Sequence, residues 1–308
     1  MTGCRGLRRA LGAAALIVLS GMGTALAADP RLPPGQDPGG QAIAFISGGI
    51  DYASERIVSR VARDGEGEII GWDFVDNDRF PYVATTATPA DPEAVDATSA
   101  AAALVQAYAH GRMVPVRIAS GDPMALARAI GFVTGTPARI VAIGVPLSSP
   151  DMRRVVREAS QRFRDHLFVV AADLPERTSA KSDVPVPKTA DATPAADTLM
   201  NLGNVLVVAA APSVDGRRAA SVLDAVDMIV VPRGSTMFVA PPAAPPRNDV
   251  EAVALASASA ACQGHGRPDG ALLGSAAKAA TLDAARPLEG NRAVRLLDQM
   301  CWYGGKRM

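Results

Sequence analysis

Aromatic side chains are scarce in this chain, and so is any excess of charge of one sign. Phe, Trp and Tyr make up 4% of the 308 residues, which predicts helices packed closely on a sheet rather than a bulky core. Lysine plus arginine and aspartate plus glutamate number 31 each, so the formal net charge is zero. That balance excludes the basic footprint of a nucleic-acid-binding protein. Long apolar runs are missing after residue 27, so no membrane span is predicted there.

The first 27 residues have the pattern of a secretory signal. Three arginines form a basic start, residues 11–19 are apolar but short for a span, and residues 25–27 form a small-x-small cleavage site before Ala28. The pattern predicts a periplasmic or secreted protein, with an uncleaved N-terminal anchor as the alternative. Removing the segment deletes three arginines and no acidic residue, which leaves the rest slightly acidic. Residues 28–40 are rich in proline and glycine and are expected to form a flexible leader.

Cysteine is rare, and only two of the three cysteines follow the signal segment. These are Cys262 and Cys301. In an oxidising compartment an even pair favours a disulfide. Two buried free thiols are the alternative.

Short apolar runs alternate with helical segments along the rest of the chain. Strands are expected at residues 42–46, 68–74, 113–118, 139–145, 167–172, 205–210 and 228–232, and helices at 98–109, 122–133, 150–164, 250–262, 271–280 and 291–300. The alternation predicts a three-layer α/β/α fold with a mainly parallel, doubly wound sheet. It forms one domain, residues 41–308, with a flexible polar insertion at 175–197.

Five segments resemble, in order and spacing, the motif blocks of subtilisin-like serine peptidases. They are residues 44–52, 71–78, 115–118, 168–172 and 204–208. The second block, Gly-Trp-Asp-Phe-Val-Asp-Asn-Asp, is close to the stretch between the catalytic aspartate and histidine of some family members. The resemblance covers residues 41 to about 297 and implies a subtilisin-like fold.

At each position where that family keeps a catalytic group, this chain has a different residue. A serine peptidase needs a nucleophile, a base, an orienting carboxylate and donors for the oxyanion. The resemblance puts Ser47 at the aspartate, Asp96 at the histidine and Val250 at the serine. The oxyanion asparagine falls near Pro175, which has no donor. Ser47 and Asp96 are expected to hydrogen-bond across the remnant cleft.

Displaced residues do not restore the catalytic set. Ser235 lies in a Gly-Ser-Thr-Met run, but the prolines that follow prevent a helix from beginning there. The three histidines, His110, His166 and His265, are expected at the surface rather than beside a nucleophile. Sedolisins, an acidic branch of the family, use glutamate in place of histidine, which invites comparison with Asp96. They keep the serine that is missing here, so the comparison gives a base with nothing to activate.

The second block also holds three closely spaced carboxylates, Asp73, Asp76 and Asp78. Related subtilases bind Ca²⁺ at this loop, so the resemblance implies a calcium site. A solvated acidic turn is the alternative, because Arg79 and Phe80 stand where further oxygen ligands would be needed. No other cofactor is indicated.

The residues and the resemblance together predict an exported, subtilase-like pseudopeptidase that binds a peptide or an exported protein partner. This function is an inference from fold analogy. The alternative is a divergent serine endopeptidase or hydrolase with displaced catalytic residues, which would react with a fluorophosphonate probe.

Overall fold

The computed structural model of the protein describes residues 29–85, 91–172, 199–210, 226–230, 248–265, 272–288 and 291–297. Within these residues the strands are β1 (Ala42–Ser47), β2 (Trp72–Asp73), β3 (Arg112–Arg117), β4 (Ile140–Ile143), β5 (Leu167–Ala171), β6 (Val205–Ala210), β7 (Met228–Val230), β8 (Arg286–Leu288) and β9 (Asn291–Leu297). They form one sheet in the order β2-β3-β1-β4-β5-β6-β7-β9-β8. Neighbouring strands are parallel, except β8 and β9, which are antiparallel.

The helices are α1 (Pro92–Ala107), α2 (Pro123–Thr134), α3 (Pro150–Arg162), α4 (Asn248–Gly264) and α5 (Gly274–Ala284). The first three begin in the same way, with proline after an N-cap residue. The capping side chains of Asp91, Asp122 and Ser149 accept hydrogen bonds from backbone N–H groups of the first turn. Proline fits this position because its missing N–H would have no partner in the helix.

Helices cover both faces of the sheet. On one face α1, α4 and α5 share an apolar cluster that includes Ile43 and Phe45 of β1; α1 and α4 lie on β1, and α5 lies on β5 and β6. On the other face α2 packs on β3 and α3 on β5, in a cluster that includes Ala44 and Ile46 of β1. The buried face of α4 is mostly alanine, so the helix lies close to the sheet, as the composition predicts. The predicted three-layer fold with a mainly parallel sheet is confirmed.

Three predicted elements differ from the structure. Residues 291–300 were expected to be helical, but Asn291–Leu297 is strand β9, because pairing with β7 outweighs the local helix preference of this segment. The strand expected at residues 68–74 is only Trp72–Asp73, preceded by isolated bridges. Helix α1 begins at Pro92, six residues before the predicted start.

Residues 29–40, predicted to be a flexible leader, run along the body and make several contacts with it. The Tyr52 hydroxyl donates to the carbonyl of Pro30 at 2.9 Å, and Arg63 donates to the carbonyl of Pro33 at 3.0 Å. Asp37 pairs with Arg112 at the start of β3. The predicted insertion at 175–197 lies outside the described residues. Strand β5 precedes it and strand β6 follows it. None of the described helices is long and apolar enough to cross a membrane.

Candidate functional site

The carboxyl end of β1 forms the centre of the candidate site. Ser47, which the sequence assigns to the family's aspartate, is the last residue of β1 and is 2% exposed. Its Oγ accepts a hydrogen bond from the backbone N–H of Gly49 at 3.3 Å. Gly49 has φ of 116°, and a Cβ there would lie 2.3 Å from Val83, so the turn after the strand requires glycine. The Ser47 hydroxyl is therefore used to hold this turn.

Glu93 is the carboxylate that the structure brings to this turn. It lies in the first turn of α1 and is exposed. A Cβ at Gly48 would lie 2.7 Å from Glu93 Oε1, so the absence of a side chain at Gly48 lets the carboxylate lie over the end of β1. The Ser120 hydroxyl, in the loop after β3, donates to the same oxygen in a short hydrogen bond. Glu93 thus bridges the loops that follow β1 and β3.

Asp96, placed at the family's histidine by the sequence, lies one turn further along α1. It is half-buried, and its side chain makes no hydrogen bond or ion pair within the described part of the chain. The expected hydrogen bond between Ser47 and Asp96 is not formed; Ser47 Oγ instead accepts from the backbone N–H of Gly49. Thr98, two residues beyond, accepts the backbone N–H of Asp51 at 2.9 Å and ties α1 to the loop after β1. The first two turns of α1 therefore meet the end of β1, but through Glu93 and Thr98.

Val250, placed at the family's serine, lies in the first turn of α4 and packs partly buried against the apolar cluster on that face. Its side chain covers Gly144, where a Cβ would lie 3.0 Å from Val250 Cγ1 and 3.3 Å from the carbonyl oxygen of Ile46. Val250 is thus beside the carboxyl ends of β1 and β4. The side chain is apolar, so the position offers no attacking atom.

Asp249 fixes the start of α4 against the sheet. Its Oδ1 accepts the backbone N–H of Ala210, the last residue of β6, at 3.0 Å. Burial raises the pKa of the Asp249 carboxyl, although the hydrogen bond from Ala210 lowers it in part. The N-termini of α1 and α4 therefore lie at the same edge of the sheet, where the strands end.

The acidic turn after β2 is built around Arg117, the last residue of β3. Asp73 is completely buried, and its Oδ1 accepts the backbone N–H groups of Val75 and Asp76 at 2.7 and 2.9 Å. The Arg117 guanidinium donates to Asp73 Oδ2 at 2.8 Å, to Asp76 at 2.6 Å, and through Nε to the carbonyl of Gly48 at 3.2 Å. Burial lowers the pKa of Arg117, but the two carboxylates outweigh it and raise the pKa, so the cation is stabilised.

Two of the three carboxylates of the predicted calcium site, Asp73 and Asp76, pair with Arg117. A guanidinium occupies the space between Asp73 and Asp76, while Asp78 uses one oxygen to accept the backbone N–H of Phe80. No group of three His, Cys, Asp or Glu side chains in the described ranges has the geometry of a metal site. These contacts resemble those of an acidic turn, which was the alternative to a calcium site, with the Arg117 guanidinium as its cation. Calcium binding by these three residues stays a prediction.

The histidines lie away from the end of β1. His110 and His265 are exposed, and their rings stack at 4.9 Å between the C-terminal ends of α1 and α4. The hydroxyl oxygen of Tyr108 lies 3.3 Å from His265 Nδ1, within hydrogen-bond distance. His166 was expected at the surface, but it is 6% exposed because it packs on Phe163 before β5. Burial, and then Arg139, lower the pKa of His166.

Two predicted positions cannot be placed. Pro175 and Ser235 lie outside the described residues. Cys262, near the end of α4, is disulfide-bonded, and the other cysteines, Cys4 and Cys301, lie outside the described ranges. The pairing of Cys262 with Cys301 stays a prediction.

Glu93 and Ser120 were missed by sequence reasoning. A signal for Glu93 was present, since Asp91–Pro92 is the same cap-and-proline pattern that marks the starts of α2 and α3. It places Glu93, not Asp96, in the first turn of α1. Ser120 had no local signal, because its contact with Glu93 spans 27 residues and depends on the sheet.

Comparison with solved structures gives the fold. The protease domain of PatA, solved as a point mutant, is 16% identical, and the match covers 84% of this chain and 92% of that domain with a TM-score of 0.50. A cold-adapted subtilisin-like serine proteinase is 14% identical over 87% of this chain and 94% of its own, with a TM-score of 0.46. The PatG macrocyclase in complex with peptide is 16% identical over 85% and 90%, also at 0.46. Identities this low are informative about architecture only.

No protein-family model matches the chain, and no curated protein sequence is similar to it. The fold assignment therefore comes from the sheet order, the helix placement and the PatA match together. The chain has a subtilisin-like α/β fold.

Proposed function

We propose that this protein is an exported, non-catalytic relative of subtilisin-like peptidases, and that it binds a peptide or an exported protein partner at the carboxyl edge of its sheet. Export is inferred from the signal-like first 27 residues. In open α/β folds, ligands bind outside the carboxyl ends of the strands. Here the loops after β1 and β3 and the first turns of α1 and α4 meet at that edge.

The observation that carries the proposal is the packing of Val250. The first turn of α4 is where a hydroxyl nucleophile would gain from the helix N-terminus. Val250 instead covers Gly144 and joins the apolar cluster. Across from it, Ser47 holds a turn and Glu93 occupies the end of β1. This packing supports a frame in which the positions assigned to the nucleophile and the orienting carboxylate have structural roles instead of the roles that acyl transfer requires.

Labelling with a fluorophosphonate probe tests the absence of catalysis. The mature chain, beginning at Ala28, should remain unlabelled at a probe excess that labels an active subtilisin to completion. Labelling of one serine in stoichiometric amount would contradict the proposal. Binding is tested separately, by fluorescence of a labelled mature protein on a peptide array and by co-purification from the periplasm.

A divergent serine hydrolase is the second candidate, and the Ser120–Glu93 contact favours it. In that case the Ser120 proton would pass to the Glu93 carboxylate as Oγ bonds to the acyl carbon, and Glu93 would return the proton to the leaving group. Both residues are exposed, and none of the histidines in the described ranges adjoins them. Labelling that is lost in Ser120→Ala would establish this candidate, and labelling absent from the wild type would exclude it.

A further inference from the structure

We infer that Glu93 selects the bound partner by pairing with a lysine or arginine side chain of a peptide. This inference rests on the proposed function, because it assigns a ligand chemistry to the same edge of the sheet. It makes Glu93 a specificity-determining residue at the carboxyl end of β1.

The placement of Glu93 is the first step. Its carboxylate lies over Gly48, one residue beyond the buried Ser47 at the end of β1. The side chain is exposed, so a ligand lying across this edge can reach it. Any longer residue at position 48 would displace the carboxylate, since a Cβ there would lie 2.7 Å from Oε1.

The second step is that the carboxylate is held in place before any ligand arrives. The Ser120 hydroxyl donates to Oε1, which fixes the side chain between two loops. The described part of the chain gives Oε2 no hydrogen-bond donor and the carboxylate no ion pair. A carboxylate with one oxygen anchored and one directed elsewhere suits a charge-assisted hydrogen bond to an ammonium or guanidinium group.

The third step is the sign of the charge around Glu93. Asp96 is one turn away on the same face of α1, and Asp51 lies in the loop that Thr98 ties to that helix. The nearby cation, Arg117, is already engaged by Asp73 and Asp76. The edge therefore keeps an excess of negative charge beside Glu93. Complementarity favours a basic partner and disfavours an acidic one.

A peptide array provides the test. The probe is the fluorescently labelled mature protein, applied to decapeptides in which each position is lysine, glutamine or glutamate in turn. For the peptides that bind, lysine at one position should give about two- to five-fold tighter binding than glutamine, the range of an exposed ion pair, and glutamate should weaken binding. Glu93→Gln should remove this preference, and Glu93→Lys should reverse it.

Glu66→Gln is the matched control, because it removes the same charge from an exposed turn beside Gly67 and away from β1. It should leave the lysine preference intact. If peptides bind but the preference is absent, or if it survives in Glu93→Gln, the role of Glu93 is overturned while the proposed function stands. If no peptide binds the wild-type protein at all, peptide binding itself fails, and the role of Glu93 fails with it.

Discussion

Replacing Arg117 with methionine is expected to destabilise the fold by about 3 kcal/mol. Asp73 is completely buried, and Arg117 is the partner of its Oδ2, so the substitution leaves a buried carboxylate oxygen without a cation. Removing one partner of a buried pair costs about 3–5 kcal/mol. The low end applies, because Arg117 is 20% exposed and Asp73 Oδ1 keeps its two backbone N–H donors. The second contact, to the exposed Asp76, adds at most about 1 kcal/mol.

For a chain of this length, 1 kcal/mol corresponds to about 2 °C, so the Tm should fall by roughly 6 °C. Thermal unfolding followed by circular dichroism at pH 7 measures the change. Arg79→Met is the control, since Arg79 belongs to the same turn but its 3.9 Å pair with Asp64 is largely exposed. It should alter stability by less than about 0.5 kcal/mol. If Arg117→Met unfolds within about 1 °C of the wild type, the internal cation does not hold the turn.

Three further outcomes are expected. Lys278→Met should lower the free energy of unfolding by about 3 kcal/mol in urea, because Lys278 and Asp227 form a buried ion pair at 3.1 Å. Burial lowers the pKa of His166, so in the pH range just below 6.5 the unfolded chain binds a proton that the folded chain does not. The unfolding free energy should therefore rise with pH across that range, and less steeply in His166→Gln. Thiol counting of the denatured, non-reduced mature chain should find no free thiol, because Cys262 is disulfide-bonded.

Each of these outcomes has a control within the chain. Arg154→Met breaks an exposed pair with Asp151 and should change stability little, unlike Lys278→Met. His110→Gln, which replaces an exposed imidazole in a different loop, serves as the comparison variant for the pH series. An equal slope in His166→Gln and the wild type would contradict the buried-histidine explanation. Two free thiols per chain would show that the disulfide does not form in the purified protein.

The alternation of apolar runs and helical segments was enough to predict the fold class, because a strand buried on both faces reads as a continuous apolar run. β1 and β6 were found almost to the residue. Strand β9 was not predicted, because the apolar residues of Asn291–Leu297 do not alternate as in a strand. The segment becomes a strand by pairing with β7. Such pairing depends on residues far apart in sequence, which local propensity does not report.

Ser47 and Val250 lie at the carboxyl edge of the sheet because they follow or begin elements that the sequence marks clearly. The assignment of Asp96 to the family's histidine stays a prediction, and the structure places Asp96 one turn beyond Glu93 on α1. The contact between Asp73 and Arg117 joins residues that are 44 positions apart and neighbours only in the pairing of β2 with β3. Such a contact follows from strand register, which a single sequence does not fix.

A serine at residue 250 would be accommodated at the expense of packing. Val250 fills the space over Gly144, and serine would remove two methyl groups, at a cost of about 1–2 kcal/mol. The histidines in the described ranges lie at the other ends of their helices or before β5, away from this position. Val250→Ser alone would therefore lower stability without bringing a described imidazole beside the new hydroxyl. Close packing at the start of α4 thus opposes a polar side chain at this position.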